Sequence, residues 1–323
     1  MIDVQRLRVL RAVAEHGSFN KAAAALLLTP SAVSQHIAAL ERTLGHPVAV
    51  RSTRGVTLTE PGRLLVETAE TISAELDRVR GAIAQLTAER PRLTIATFTS
   101  GGRRLLPAAL SRFVAAHPEV ELTVREAEPE DAVPLVRHGH ADLALTYHFD
   151  GPPPVRPAER PPLTWLPLRE DPLWLVLPSG HPLAACPSLE LGELATERWV
   201  LGCLKTEAYL RRYAHQAGFD LQIGASTTDY FFAQSLVAAG VGVSLVPEVA
   251  LAPTPHLSII PTNPPRPARH IGLVLPHRRT PHAEAMATAL TEAARATGTG
   301  TDVGTAADAS AHTAAEQPKA SHR

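Results

Sequence analysis

Residues 29–45 read Thr29-Pro30-Ser31-Ala32-Val33-Ser34-Gln35-His36-Ile37-Ala38-Ala39-Leu40-Glu41-Arg42-Thr43-Leu44-Gly45. A hydroxyl followed by proline is a helix start, because proline at the first helical position gives up no hydrogen bond. Val33, Ile37, Leu40 and Leu44 recur at spacings of four, three and four, which is one apolar helix face. The opposite face presents Ser31, Ser34, Gln35, Ala38 and Arg42, and Gly45 supplies the left-handed residue that ends the helix. Short polar side chains at an exposed helix N-terminus suit insertion into a DNA major groove. There Gln35 can bond adenine N6 and N7, and the serines can meet base edges or phosphates.

Working outward, Asp3 caps a helix whose Leu7, Leu10 and Val13 face inward and which ends near Gly17. Ser18 caps a second helix over 20–28, where the alanines at 22–25 permit close packing. Residues 48–51 and 56–58 flank Ser52-Thr53-Arg54-Gly55, a β-hairpin with Arg51 at its base and Arg54 at its tip. Residues 1–58 carry seven basic side chains against three acidic ones, a balance of +4 in a chain whose net charge is −1. A basic first module on an acidic body is the asymmetry of a DNA reader. The candidate DNA contacts are Ser18, Pro30, Ser31, Ser34, Gln35, Arg51 and Arg54. Any one of them alone reads better as a solvated surface residue; the ordered set points to DNA.

Thr59-Glu60-Pro61-Gly62 opens a long helix over 60–90. Within it Leu65, Ala69, Ile72, Leu76, Val79, Ile83 and Leu86 alternate spacings of four and three, the seam of a coiled coil. One narrow apolar stripe on so long a helix needs a partner, and a second copy of the chain is the simplest one.

Beyond Pro91 the pattern changes to strands over 93–97, 120–125 and 143–147 alternating with helices over 102–117 and 131–139. That order implies a mostly parallel sheet covered by helices. Strands over 165–168 and 173–177 lead to a second unit. It holds strands over 199–201, 222–225 and 243–246 and helices over 207–217 and 230–239. A proline-rich passage over 253–267 precedes a strand over 270–275 and a helix over 281–297, which return to the first unit. Two such units joined by two crossings form a hinged cleft. Residues 298–323 are small, polar and aperiodic, the composition of a disordered tail.

Thr99-Ser100-Gly101-Gly102 follows the first strand and opens a helix, where free backbone N–H groups favour an anion such as a carboxylate. Tyr147, His148, Cys203, Thr206, Thr228 and Asp229 sit at the facing strand ends and helix starts, where open α/β sheets bind ligands. With Thr99, Ser100 and Gly101 they form the candidate effector-binding set, routine helix capping being the rival reading. Lys205 either attracts an anionic effector or is simply exposed. His138-Gly139-His140 lacks a third ligand, so no metal site is expected, and no cofactor. Cys186 and Cys203 make no disulfide framework, and small-residue packing is favoured over redox sensing. No G-x-S-x-G, P-loop, H-E-x-x-H or strand-following G-x-G-x-x-G is present, so an enzyme is not expected.

The runs from Arg8 to Ala23 and from Thr29 to Ile37, with Leu40-Glu41, Leu44-Gly45, Arg51 and Leu58-Thr59-Glu60-Pro61-Gly62, resemble the opening of LysR-type transcriptional regulators. The resemblance continues to about residue 297. It implies an α/β multidomain chain with an N-terminal winged helix-turn-helix (1–59), a long coiled-coil linker helix for dimerisation (60–90) and a two-subdomain effector domain like periplasmic binding proteins (91–297). Subdomain I would take about 91–168 and 269–297, and subdomain II about 169–268. It implies promoter DNA, a small-molecule effector lying between the subdomains near Ser100, dimers that pair into tetramers, and RNA polymerase as a further partner. Neither a leader-like N-terminus nor a membrane-length apolar run is visible, so a cytoplasmic location is expected. A solute-binding protein or enzyme on the same α/β fold would leave residues 1–90 unexplained. A sequence-indifferent chromosome organiser would leave the cleft without a use.

Overall fold

The computed structural model describes residues 2–52, 55–86, 90–156 and 161–297. The tail expected at 298–323 and the hairpin tip with Arg54 lie outside these. Three helices open the chain: α1 (Val4–His16), α2 (Phe19–Leu26) and α3 (Pro30–Leu44). Their caps are those the sequence supplies. Asp3, Ser18 and Thr29 accept from the backbone N–H groups of Gln5, Lys21 and Ala32, and Gly17 and Gly45 take left-handed φ values of 59° and 73°. Val9, Leu10, Val13, Ala22, Val33, Ile37 and Leu40 bury together with Val48 as one small core.

Strands β1 (Ala49–Ser52) and β2 (Gly55–Leu58) pair antiparallel as the wing. The wing is tied to the long helix α4 (Glu60–Leu86) by Thr59, whose hydroxyl donates to the Pro47 carbonyl at 2.7 Å and accepts from Gly62 N–H at 3.2 Å. A Cβ at Gly62 would sit 1.9 Å from the Val48 carbonyl oxygen, so only glycine lets the helix start this close to the wing.

The rest folds as two α/β units. The first holds β3 (Arg92–Thr97), α5 (Thr99–Arg104), α6 (Leu106–Ala116), β4 (Glu121–Glu126), α7 (Pro129–Arg137) and β5 (Leu143–His148). The chain then runs through β6 (Leu163–Pro178) into the second unit, made of β7 (Arg198–Leu201), α8 (Thr206–Gln216), β8 (Gln222–Ser226), α9 (Tyr230–Ala238), β9 (Ser244–Pro247) and β10 (Leu257–Pro261). It returns through β11 (Ala268–Pro276) to α10 (Pro281–Thr297).

Strands β3, β4 and β5 are parallel, and β11 and β6 add antiparallel on the β5 side. The far half of β6 belongs to the other unit, where Leu173–Val176 pair with β9 and Trp174–Pro178 with β10. Each unit has its own core. Leu93, Phe98, Phe113, Leu143, Ile271 and Leu290 bury in the first, and Leu173, Trp199, Leu201, Tyr209 and Leu245 in the second.

Several elements differ from the sequence expectation. The helix expected over 102–117 starts at Thr99 and is two helices, because Pro107 has no N–H to give the Arg103 carbonyl and its ring crowds that carbonyl, so the turn opens at Leu105. The strands expected over 165–168 and 173–177 are one, and its ladder shifts register at Ile271/Gly272, opposite Pro167. Strand β10 lies inside the proline-rich passage; its Pro261 is tolerated because β10 is an edge strand. Helix α4 is described to Leu86, and residues 87–89 lie outside the described chain.

Candidate nucleic-acid interface and ligand cleft

The N-terminal face of α3 is open in a single chain, with Pro30, Ser31 and Gln35 exposed and Ser34 half-buried. Two of these side chains already have neighbours. Ser31 and Thr29 share a hydrogen bond of 2.9 Å, and the Ser34 hydroxyl donates to the Pro30 carbonyl at 2.9 Å while accepting from Arg51 Nη2 at 2.9 Å. The Arg51 guanidinium also lies over the Phe19 ring, 3.7 Å from its centroid. Arg51 therefore joins the wing, α2 and α3, a bracing role that the sequence reading did not assign. Ser18 is half-buried, and its hydroxyl caps α2.

The seam on α4 divides. Ala69 is 3% exposed, and Leu65 packs on the N-terminal core, since α1 lies along this part of α4. Leu76, Val79 and Ile83 are 47%, 40% and 56% exposed. Ile72 is half-buried, and the side chain of Leu86 lies outside the described residues.

Between the two α/β units a cavity of about 20 Å³ is lined by Phe98, Thr99, Ser100, Glu128, Tyr147, Cys203, Thr228, Asp229, Tyr230 and Arg269. At its floor is a buried ion pair, Arg269 with Asp171, Nε to Oδ2 at 2.6 Å. The two residues face each other across the β11–β6 register, where the chain crosses between units. Arg269 Nη2 also donates to Ser100 Oγ at 2.8 Å, and Asp171 Oδ1 accepts from Val249 N–H at 3.0 Å. The rings of Phe98 and Tyr147 lie 5.0 and 4.7 Å from the guanidinium. Burial works against the charge on Arg269, and the Asp171 carboxylate outweighs it, so the group stays charged.

Burial above all pushes the phenols of Tyr147 and Tyr230 well up, so both remain neutral donors. Tyr147 donates to Glu128 Oε2 at 2.8 Å, whereas Tyr230 Oη is buried with no hydrogen-bond partner among the described residues. Gly202 makes room for that ring, since a Cβ there would come within 2.3 Å of it.

Six of the nine residues expected at the cleft line it: Thr99, Ser100, Tyr147, Cys203, Thr228 and Asp229. Three do not. Gly101 turns onto the Phe98 ring inside the first core. His148 follows Tyr147 on a strand, so it faces the other side of the sheet, against Trp165 and His270. Thr206 is 1% exposed, with its hydroxyl donating to the Cys203 carbonyl at 2.6 Å. The sequence reading missed Phe98, Glu128, Tyr230 and Arg269. Lys205 is not free either; it pairs with Glu128 and Glu130. Cys186 packs at the edge of the second core, and neither cysteine is in a disulfide.

Family models match both halves of this layout: a bacterial regulatory helix-turn-helix protein of the lysR family over residues 4–63, and a LysR substrate binding domain over 87–295. The chain belongs to the LysR family of transcriptional regulators. A probable hydrogen peroxide-inducible genes activator of Mycobacterium avium is 33% identical over 278 residues, 83% of this chain and 86% of the relative. The transcriptional dual regulator GltC of Bacillus subtilis is 30% identical over 285 residues, 86% of this chain and 92% of the relative. Among solved structures, HinK of Pseudomonas aeruginosa, a LysR family regulator, shares the fold with a TM-score of 0.54 at 19% identity, over 90% of this chain and 98% of that one. A LysR-family chain is a DNA-binding regulator with an effector-binding domain, not an enzyme. Among the described residues no single helix is long and apolar enough to cross a membrane.

Proposed function

We propose that this regulator reads promoter DNA with the exposed start of α3 and changes its grip when a small molecule enters the cleft at Ser100. The observation that carries the reading is the Arg269–Asp171–Ser100 contact. It ties both crossing strands to the helix at the cleft, so a ligand that competes for Ser100 acts directly on the hinge. Gln35, Ser31 and Pro30 meet base edges, and Ser18 and Arg54 meet phosphates. Arg51 serves first to hold Ser34 and the wing in place. The domains divide near residues 59 and 90, with the hinge at Asp171 and Arg269. Chains pair through Leu76, Val79 and Ile83 of α4, dimers associate into tetramers, and the protein works in the cytoplasm, with RNA polymerase as a further contact.

The effector is small, neutral and rich in hydrogen-bonding groups. The anion expected from the helix start is disfavoured, because Arg269 is already neutralised by Asp171 and the remaining lining adds Glu128 and Asp229. Helix α5 is also only six residues long. Ser100 Oγ, which accepts from Arg269, still has its proton to donate.

Footprinting and mobility shift on the DNA beside its own gene, with random duplex as competitor and salt varied, test the first half. A spaced, two-fold symmetric footprint supports the reading; failure to bind any duplex overturns it. A second reading is oxidant sensing at Cys203, which lines the cleft with Sγ 4.0 Å from Tyr147 Oη. It requires that peroxide alter DNA binding in the native chain and not in Cys203→Ser.

A further inference from the structure

Away from the cleft, two histidines and a glutamate converge from two separate pieces of backbone, the turn after α6 and the start of α10. His117 caps α6, with its N–H donating to the Phe113 carbonyl at 2.8 Å. Val120 N–H donates to the His117 carbonyl at 3.2 Å, closing a tight turn that carries Glu119. His282 lies in the first turn of α10, which packs along α6. Phe113 braces both imidazoles, with its ring centroid 4.7 Å from that of His117 and 6.5 Å from that of His282.

His117 Nδ1 and His282 Nε2 each stand 3.6 Å from the same oxygen, Glu119 Oε1. All three ligand atoms lie within 4.8 Å of one another. At 3.6 Å these are too long for hydrogen bonds. Metal–ligand bonds of about 2.0–2.2 Å in tetrahedral geometry separate neighbouring donor atoms by about 3.4 Å. Both histidine-to-glutamate spacings stand close to the value they would keep around one ion, and the remaining pair lies within 4.8 Å.

We propose that His117, Glu119 and His282 bind a divalent transition-metal ion of the zinc type, with water completing its coordination. The donor set decides the class: magnesium and calcium prefer oxygen ligands, and two imidazoles select zinc and its neighbours. Partial exposure of all three side chains leaves the fourth position open to solvent. The site joins the end of α6 to the start of α10. It lies at the far end of an eleven-residue helix from the cleft, about 16 Å at 1.5 Å per residue. A metal there would staple the first α/β unit without touching the effector.

The test uses the full chain without an affinity tag, dialysed against chelator and titrated with zinc chloride by calorimetry. Cobalt chloride serves as a spectroscopic probe of coordination. The chain has 15 histidines, so weak binding elsewhere is expected and the variants decide. One ion per chain should bind, with affinity lowered at least about tenfold in Glu119→Gln and in His282→Ala and unchanged in His140→Ala. Glu119 is half exposed, so its replacement leaves the fold intact, as circular dichroism and DNA binding will verify. Absence of stoichiometric binding, or equal affinity in Glu119→Gln, His282→Ala and the native chain, overturns the proposal.

Discussion

Arg269 shows what a charge does when folding takes it out of water. Its side chain is 1% exposed and that of Asp171 is not exposed at all, so neither ion can be hydrated if its partner is removed. Replacing one member of a buried pair costs about 3–5 kcal/mol, whereas replacing both with apolar residues is often close to neutral. Arg269→Met should therefore lower the unfolding midpoint of the effector domain sharply, and Arg269→Met with Asp171→Leu should recover most of the loss. Equal destabilisation by the single and double variants in thermal unfolding would sink this account. The pair was invisible in the sequence because its members are 98 residues apart and Arg269 begins an ordinary strand. Ser100, by contrast, was legible because it follows a strand and opens a helix. His148 gives a pH-dependent counterpart. Burial first, and then the neighbouring His270, hold its pKa below the usual histidine value, and Nδ1–H of the neutral ring donates to the Phe149 carbonyl at 2.7 Å. The unfolded chain gains a proton near pH 6.5 that the folded chain refuses, so this contribution is complete above that pH and is lost as pH falls further. The melting temperature should drop between about pH 7.5 and 5.5 more steeply in the native protein than in His148→Gln. Identical slopes would remove His148 from the explanation.

At the scale of elements, local signals read well and long-range ones did not. Caps at Asp3, Ser18, Thr29, Gly17 and Gly45 and the periodicity of α3 fixed the first domain, since each depends on neighbours within a few residues. Strand β6 escaped because its continuity depends on two different sheets, each supplying partners for half of it. The seam of α4 was legible as a stripe, but not its division of labour. Leu65 and Ala69 serve their own chain, and the exposed apolar side chains come later, at Leu76, Val79 and Ile83. That division sharpens a prediction. Leu76→Glu with Ile83→Glu places charge on the exposed stretch alone and should shift sedimentation from dimer toward monomer, leaving the N-terminal core folded. Leu65→Glu should instead unfold that core and lower its melting transition. If the Leu76/Ile83 variant stays fully dimeric, α4 is not the principal contact between chains.

At the scale of the whole molecule, α7 connects the ligand cleft to the helix that carries the DNA-binding domain. Glu128, which lines the cleft and accepts from Tyr147, is the residue immediately before α7. Past its other end, Gly139 takes a left-handed φ of 71° against α4, where an added Cβ would approach Arg78 Cα to 3.0 Å. Helices transmit displacement because their hydrogen bonds make them stiff along the axis, but coupling also requires that a ligand favour one of two arrangements. A ligand that draws Tyr147 away from Glu128 meets that requirement, since it changes the contact holding one end of α7. Glu128→Gln keeps the side chain's size and its acceptor while removing the charge that also holds Lys205. We expect it to leave DNA affinity without effector nearly unchanged and to reduce the effector-induced change, which in such systems is typically about 5–150-fold. Gly139→Ala should reduce the same change from the opposite end by forcing α4 and the turn apart. Mobility-shift titrations with and without effector measure both. If Glu128→Gln alters basal affinity as much as the effector's response does, α7 is a structural strut rather than the link between cleft and DNA.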